Sequence, residues 1–199
     1  HGPAEDLRVE PLRGREVDAF YPQPQLDIVQ QVDAIDGVAW EAGAGPLWEH
    51  VSFNQDNPLL AKDYVRKAFA MGVDRESIVE AIIRPIQPNA VVLNNSIWMA
   101  NTATYEDHFS QWDYDPEAAV ALLEDNGCTK GDDGIFVCDG ERLSFDWTTT
   151  AGNEARELQF EIAQSALKDV GIEVNADFGP ASEVFAEDHL FGGADQWDI

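Results

Sequence analysis

The feature that most constrains the fold is a strand–helix–strand pattern between residues 143 and 178. Apolar and polar residues alternate from Leu143 to Thr148 and again from Ile172 to Phe178, as in strands with one buried face. Between them, Glu154–Val170 has helical periodicity, and Gly171 is suited to end the helix. The stripe of this helix that faces the core is predicted to contain Leu158, Ile162, Ala166 and Leu167. Strands alternating with helices predict an α/β domain.

Two further helical regions have clear boundary signals. Val65–Ile83 is predicted to form two helices that meet at a corner, where the Asp74 carboxylate can accept the free N–H groups of the second helix. Asp115 and Pro116 are typical of a helix start, and Gly127 of a helix end. These signals extend the α/β pattern toward the N-terminal half.

Two strands are predicted before the first corner, at residues 38–42 and 47–54, around a turn at Gly43–Pro46. The second strand alternates, so that one face carries Trp48, His50, Ser52 and Asn54. Residues 85–110 show little periodicity and are predicted to form a long loop, which in a compact domain is usually functional or poorly ordered.

The net charge of −26 limits the possible partners. A nucleic-acid partner is not expected because phosphate binding depends on Lys and Arg, and anionic membrane surfaces are disfavoured for the same reason. The acidic residues are spread along the chain, which indicates a solvated surface of a salt-adapted or secreted protein. No calcium-binding loop of the EF-hand type is present.

The chain contains two cysteines, Cys128 and Cys138, on either side of an Asp133–Gly134 turn signal. A hairpin at this turn would bring the two sulfur atoms together, and a disulfide would indicate an oxidising, extracytoplasmic setting. Two buried free thiols are the alternative. Without a companion pair of histidines, the cysteines do not form a zinc site.

Catalytic motifs are missing from the sequence. It has no Gly-x-Ser-x-Gly elbow, no His-Glu-x-x-His motif, no phosphate loop and no dinucleotide fingerprint. Nothing selects a catalytic pair among the 38 acidic residues. We therefore expect neither an enzyme nor a cofactor, and we assign no catalytic or metal-binding residue.

Short segments spread over nearly the whole chain resemble, in the same order, the family 5 extracellular solute-binding proteins of ABC importers, the oligopeptide- and dipeptide-binding group. The segments are Leu12–Ala19, His50–Asn54, Asp63–Ala68, Gly72–Val79, Tyr114–Ala119 with Leu122–Leu123, Asp133–Ile135, Gly171–Val174 and Asp195–Ile199. Each segment is weak by itself, and their shared order carries the resemblance.

The resemblance implies a type II periplasmic-binding-protein fold, in which two lobes close on a solute and then dock on membrane permease subunits. It implies that the chain is a fragment, with residues 1–54 in a hinge-side segment of the first lobe and residues 55–199 in an incomplete second lobe. Residues that anchor the ligand are then expected beyond Ile199. The implied solute is a peptide, bound without cofactor outside the cytoplasm by a lipoprotein or periplasmic protein. An oligosaccharide or a nickel chelate is an alternative solute, and a secreted calcium-stabilised interaction module is an alternative function.

Candidate ligand-binding residues come from three places. In the resembled family the strand that enters the second lobe contributes to the ligand pocket, which selects its Trp48 face. The long loop adds polar and aromatic candidates, and the segment after the Leu143–Thr148 strand lies where open α/β sheets bind ligands. The full set is Trp48, His50, Ser52, Asn54, Asn94, Asn95, Trp98 and Asn153. For the asparagines, simple turn formation or helix capping is the alternative role.

Overall fold

The computed structural model describes residues 9–22, 25–190 and 197–199. Its α-helices are α1 (Glu10–Arg13), α2 (Leu26–Asp33), α3 (Asp63–Gly72), α4 (Arg75–Ile78), α5 (Pro116–Asp125), α6 (Glu154–Val170), α7 (Ala181–Val184) and α8 (Glu187–Leu190). A π-helical turn, Val79–Ile83, continues α4, and a 3-10 turn spans Ser110–Trp112. The strands are β1 (Thr129–Lys130), β2 (Phe136–Cys138), β3 (Glu141–Arg142), β4 (Ser144–Thr150) and β5 (Glu173–Gly179).

The predicted strand–helix–strand unit is confirmed. Strands β4 and β5 are parallel and paired from Ser144 opposite Glu173 to Thr150 opposite Gly179, and α6 connects them. Helix α6 has the predicted bounds because both ends are set locally: the Asn153 side chain accepts the N–H of Arg156, and Gly171 ends the helix with φ +86°. The expectation of an α/β domain is therefore correct.

The predicted buried stripe of α6 is wrong in part. Leu158 is 39% exposed, and the fully buried positions are Phe160, Ala163, Leu167 and Val170. The reason is that α6 packs against α3 as well as against the sheet. A Cβ atom at Gly72 of α3 would lie only 3.0 Å from Leu167 and 2.9 Å from Val170. The buried face of α6 is therefore turned toward α3, a helix that lies far from α6 in the sequence.

Two hydrophobic clusters are separated along the chain. The N-terminal cluster consists of Val9, Leu12, Ile28 and Val32, with Phe20, Ile35 and Val38 packed against it. The main cluster lies among α3, α5, α6, the β1–β3 hairpin region and β4–β5. Phe53, which is partly buried, is the first residue along the chain that packs against it. A chain of aromatic contacts crosses it, with ring centroids 5.2 to 6.2 Å apart, through Phe53, Phe69, Trp147, Phe160 and Phe178. Residues 39–52 belong to neither cluster.

The helix corner and the cysteine hairpin form as expected. Asp74 accepts the backbone N–H of Ser77, and Asp115 accepts that of Ala118. Strands β1, β2 and β3 are antiparallel, and a disulfide joins Cys128 to Cys138. The disulfide closes the hairpin against the end of α5.

The strands predicted at residues 38–42 and 47–54 are wrong. Within the described ranges, residues 39–53 take part in no backbone–backbone hydrogen bond. The edge of β4 that they could have joined is occupied by residues 197–199: the Ile199 N–H donates to Asp146 O at 3.1 Å, and Ile199 O accepts the Thr148 N–H at 2.6 Å. Among residues 38–54, only Asn54 bonds to residues 197–199, donating its N–H to Asp198 O at 2.8 Å. Residues 195 and 196 of the Asp195–Ile199 segment lie outside the described residues.

Candidate ligand-binding site

The predicted alternation of side chains is partly preserved in the extended segment 47–54. Trp48 and His50 lie on the same side, with ring centroids 4.6 Å apart. Both are exposed, as is Ser52. Because no ladder holds this segment, the Trp48–His50 pair, whose rings are tilted by 40°, lies on extended chain. This chain is attached at Asn54, where main-chain and side-chain N–H groups bond to residues 198 and 197. Asn54 itself is buried and shapes the backbone.

An ion pair brings the extended segment to the carboxyl-terminal end of the parallel strands. Arg156, in the first turn of α6, donates from Nη1 to Thr150 Oγ1 at 2.7 Å and from Nη2 to Glu49 Oε1 at 3.2 Å. Glu49 lies between Trp48 and His50. Glu49 thereby attaches the segment that carries the Trp48–His50 pair to the edge of an α/β sheet at which ligands usually bind.

Arg156 and Glu49 were missed by the sequence reasoning. Arg156 could have been noticed, since it is a cation just after a helix start and a strand end in a chain with only 12 Lys and Arg residues. Glu49 had no comparable signal, because its partner is 107 positions away.

Asn153 lies at the same edge but is buried as the cap of α6. Its Oδ1 accepts the Arg156 N–H at 3.2 Å. This contact confirms capping, the alternative role that the sequence indicates for Asn153. A direct role in ligand binding stays a prediction.

The long loop is ordered by two buried asparagines. Asn94 donates from Nδ2 to Asp107 Oδ2 at 3.1 Å, and its N–H donates to the Tyr105 hydroxyl at 3.2 Å. Asn95 donates to Glu106 O at 2.9 Å and accepts the N–H groups of Ile97 and Trp98. These bonds fold the loop on itself, so that Ile97 and Trp98 project at its tip, with Ile97 73% and Trp98 48% exposed.

Arg75 attaches this loop to the helical corner. Its Nη1 donates to Asn94 Oδ1 at 2.9 Å, and its Nη2 donates to Asp113 at 2.6 Å. Asp107 completes the base of the loop. The Ser110 N–H donates to the Asp107 carboxylate and is the largest cause of its lowered pKa. A preformed loop can present Trp98 without a large ordering cost on binding.

The loop also approaches residues 43–46, which precede the Trp48 segment and do not form the predicted turn. Asn101 Nδ2 donates to Ala44 O at 3.0 Å. The structure thus connects both aromatic candidates, Trp98 and Trp48, to one surface region by way of residues 43–46. It shows no direct contact between these two side chains among the described residues.

In the residues that the structure describes, no group of three or more His, Cys, Asp and Glu residues is arranged to hold a metal ion. None of the helices in the described part of the chain has the length and hydrophobicity needed to cross a bilayer.

Two surface depressions lie away from the predicted residues. One, of about 380 Å³, is on α5 near Asp169, and a second, of about 610 Å³, lies between the hairpin turn and α6. In the second, Arg142 bonds to Asp133 and, at 3.1 Å, to Glu173, which joins the hairpin to β5. Arg142 is the largest cause of the lowered pKa of Glu173. These contacts stabilise the packing of the hairpin against β5.

Comparison with known proteins is informative over nearly the whole chain. Residues 3–197 match the family described as bacterial extracellular solute-binding proteins, family 5 Middle. The oligopeptide-binding protein AppA of Bacillus subtilis is 30% identical over 128 residues, which cover 63% of this chain and 23% of that protein. The chain spans about a quarter of the length of the curated relatives that it matches.

Solved structures agree with this match. The oligopeptide-binding protein from Thermus thermophilus, complexed with a pentapeptide, is 29% identical with a TM-score of 0.64, over 76% of this chain and 26% of that one. NikZ from Campylobacter jejuni, in complex with Ni(L-His), is 30% identical with a TM-score of 0.55, over 69% of this chain and 26% of that one. The fold is therefore that of type II periplasmic binding proteins, as the sequence predicted. By their names, AppA and the Thermus thermophilus protein are oligopeptide-binding proteins.

Proposed function

Since this chain belongs to the bacterial extracellular solute-binding proteins of family 5, we propose that it forms part of the substrate-binding component of an ABC importer and that its solute is a peptide. The observation that carries the proposal is the family match over residues 3–197. The similarity to oligopeptide-binding proteins favours a peptide over a nickel chelate or an oligosaccharide. The Ni(L-His) complex of NikZ keeps a chelate as the alternative to be tested.

In the proposed mechanism, residues 1–54 lie on the hinge side of one lobe and residues 55–199 in the second lobe. Two separate hydrophobic clusters support this division, because the main one starts at Phe53 and residues 39–52 join neither. A segment without backbone hydrogen bonds is suited to absorb the rotation of a hinge. The closed form would then dock on the permease subunits in the membrane.

The proposed location is outside the cytoplasm, either on a lipid anchor or in a periplasm. The Cys128–Cys138 disulfide supports an oxidising compartment. The acidic surface, with a net charge of −26, is compatible with such a setting.

The proposed ligand contacts are Trp48, His50, Ser52 and Trp98, whereas Asn54, Asn94, Asn95 and Asn153 hold the backbone around them. Exposure of the first group and the internal hydrogen bonds of the second support this assignment. Flat aromatic side chains provide a large contact area for a peptide while losing little conformational entropy.

The test is a thermal-shift screen of the full-length gene product with mixed peptides, oligosaccharides and nickel–histidine, followed by calorimetry. We expect peptides to raise the melting temperature. Trp48→Ala should then weaken peptide binding about tenfold or more, as for a buried aromatic contact at an interface. Trp40→Ala is the matched control, since Trp40 is 41% exposed and Trp48 38%, and it should leave the affinity unchanged.

Two results would contradict the proposal. If no peptide stabilises the protein, the peptide assignment is wrong, and binding of another solute would replace it. If Trp40→Ala and Trp48→Ala weaken binding equally, the site has been placed on the wrong surface.

A further inference from the structure

Arg156 is a cation whose charge is balanced by a carboxylate on a loosely held segment. Its side chain is only 20% exposed, and Glu49, its ion-pair partner, is 52% exposed. Glu49 lies in residues 39–53, which make no backbone–backbone hydrogen bond within the described ranges. Glu49 can therefore leave without breaking secondary structure, whereas Arg156 is fixed on α6.

The bonds of Arg156 hold its guanidinium at the end of β4 even when Glu49 is absent. The Thr150 hydroxyl accepts from Nη1 at 2.7 Å, and Asn153 fixes the backbone of Arg156. Departure of Glu49 would leave a mostly buried positive charge without a counter-ion, which is costly. Another carboxylate that takes its place removes that cost.

The existing ion pair also leaves part of the guanidinium unused. Glu49 accepts one hydrogen bond from Nη2, at 3.2 Å, while Nε is buried and has no acceptor among the described atoms. Nε and one Nη form the fork that binds a carboxylate through two parallel hydrogen bonds. A ligand carboxylate that also reaches the buried Nε would make one more bond than Glu49 makes.

We propose that Arg156 binds a carboxylate group of the ligand, and that Glu49 occupies this position in the unliganded protein and is displaced on binding. The proposal rests on the proposed function and specifies its ligand class: an acidic solute with a free carboxylate. In a chain of net charge −26, such a ligand is repelled by most of the surface. A cation at the binding edge compensates for that repulsion locally.

Because Arg156 and Glu49 carry opposite charges, substituting each one should change the affinity for the ligand in opposite directions. Arg156→Gln removes the carboxylate site and should weaken binding of free-acid peptides about 10- to 100-fold. Glu49→Gln removes the internal competitor and should strengthen it about two- to fivefold, as expected from the loss of a partly exposed ion pair. A purely structural ion pair would make both variants change affinity in the same direction.

The measurement is titration calorimetry on the full-length gene product with a tripeptide library that has free carboxyl termini and with the same library amidated. Wild type should prefer the free-acid library by at least tenfold, and Arg156→Gln should bind both libraries equally. A third library, amidated and without Asp and Glu residues, offers no carboxylate. Tighter binding of the amidated library that contains Asp and Glu than of this third library would show that the site accepts a side-chain carboxylate. Arg84→Gln is the control, because Arg84 pairs with Glu76 of α4 and Glu80 of the π-helical turn, and it should retain the preference. Melting temperatures identify variants that fail to fold. Arg156→Lys keeps the positive charge without the guanidinium fork and should therefore bind with intermediate affinity.

Four results are decisive against these claims. If Arg156→Gln keeps the free-acid preference, or if Glu49→Gln weakens binding as Arg156→Gln does, the carboxylate site is wrong while the proposed function stands. If wild type binds the free-acid library no better than the amidated library without Asp and Glu residues, the carboxylate site is wrong in the same way. If wild type binds neither library, the proposed peptide function itself fails.

Discussion

Two glycines that end helices in the same conformation offer a direct test of how tightly the hairpin packs on α6. Gly127 follows α5 with φ +82°, and Gly171 follows α6 with φ +86°. A Cβ atom at Gly127 would meet nothing within 4 Å, whereas one at Gly171 would lie 2.7 Å from Phe136 Cδ2 and 2.8 Å from Gly134 O. Substitution by alanine therefore imposes the same backbone strain at both sites and a steric clash at only one.

The expected free energies follow from these distances. Placing alanine in the left-handed conformation costs about 1–2 kcal/mol, partly offset by the reduced freedom of the unfolded chain. At Gly171 the clash adds about 1–3 kcal/mol, as overpacking of a core does. It cannot be relieved easily, since Phe136 is fully buried and its N–H donates to Gly171 O at 2.8 Å. Gly171→Ala should thus destabilise the chain by about 2–5 kcal/mol and Gly127→Ala by about 1–2 kcal/mol.

Urea unfolding, followed by tryptophan fluorescence and by circular dichroism, measures this difference. Equal m-values in the two variants would show that the change lies in the folded state. The reasoning is refuted if the two alanine variants lose the same stability, because the packing of the hairpin on Gly171 would then contribute nothing.

The remaining predictions concern the disulfide, the charge and one carboxylate. Replacing Cys128 and Cys138 together by serine should cost about 2–3 kcal/mol, since the bridge closes a short loop; an unchanged urea midpoint would contradict this. Raising NaCl from 0.1 to 1 M, which shortens the screening length from about 10 to 3 Å, should raise the melting temperature of a chain with net charge −26; a flat or falling melting temperature would count against net repulsion. Arg142 and Ser144 lower the pKa of Glu173 in the folded state. Its contribution is therefore present above the pKa of the unfolded chain and lost as the pH falls through the folded pKa. Glu173→Gln should consequently be less stable than wild type at neutral pH and lose less stability on acidification, and parallel stability–pH curves would disprove this linkage.

Local signals explain which elements could be predicted from the sequence. The bounds of α6 follow from a cap at Asn153 and a glycine at 171, both within a few residues of the helix ends they define. The cysteine hairpin likewise depends on the Gly134 turn, with φ +87°. The hydrogen bonds and steric limits that act there involve neighbours in sequence, so they are present in the pattern itself.

Prediction from the sequence failed where an element depends on a partner far along the chain. Residues 47–54 have a strand-like alternation, but a strand needs an edge with which to pair, and Ile199 occupies the nearby edge of β4. Leu158 has the correct spacing for the core face of α6, but the contact with Gly72 on α3 selects another stripe.

The candidate site shows the same division. Aromatic and polar residues in a strand-like segment and a long loop were recognisable as candidates in the sequence. Their roles were not, because the hydrogen bonds of Asn94 with Arg75 and Asp107 exist only once the loop has folded.

By itself the sequence determined the family, the α/β pattern, the cysteine hairpin and the helix boundaries, since each is encoded by residue types at short and regular spacing. Only the tertiary structure decided which helix face is buried, which segment pairs with β4, and that Arg156 meets Glu49 across 107 positions. The physical reason is that burial, strand pairing and the balance of a buried charge depend on which distant groups become neighbours in space.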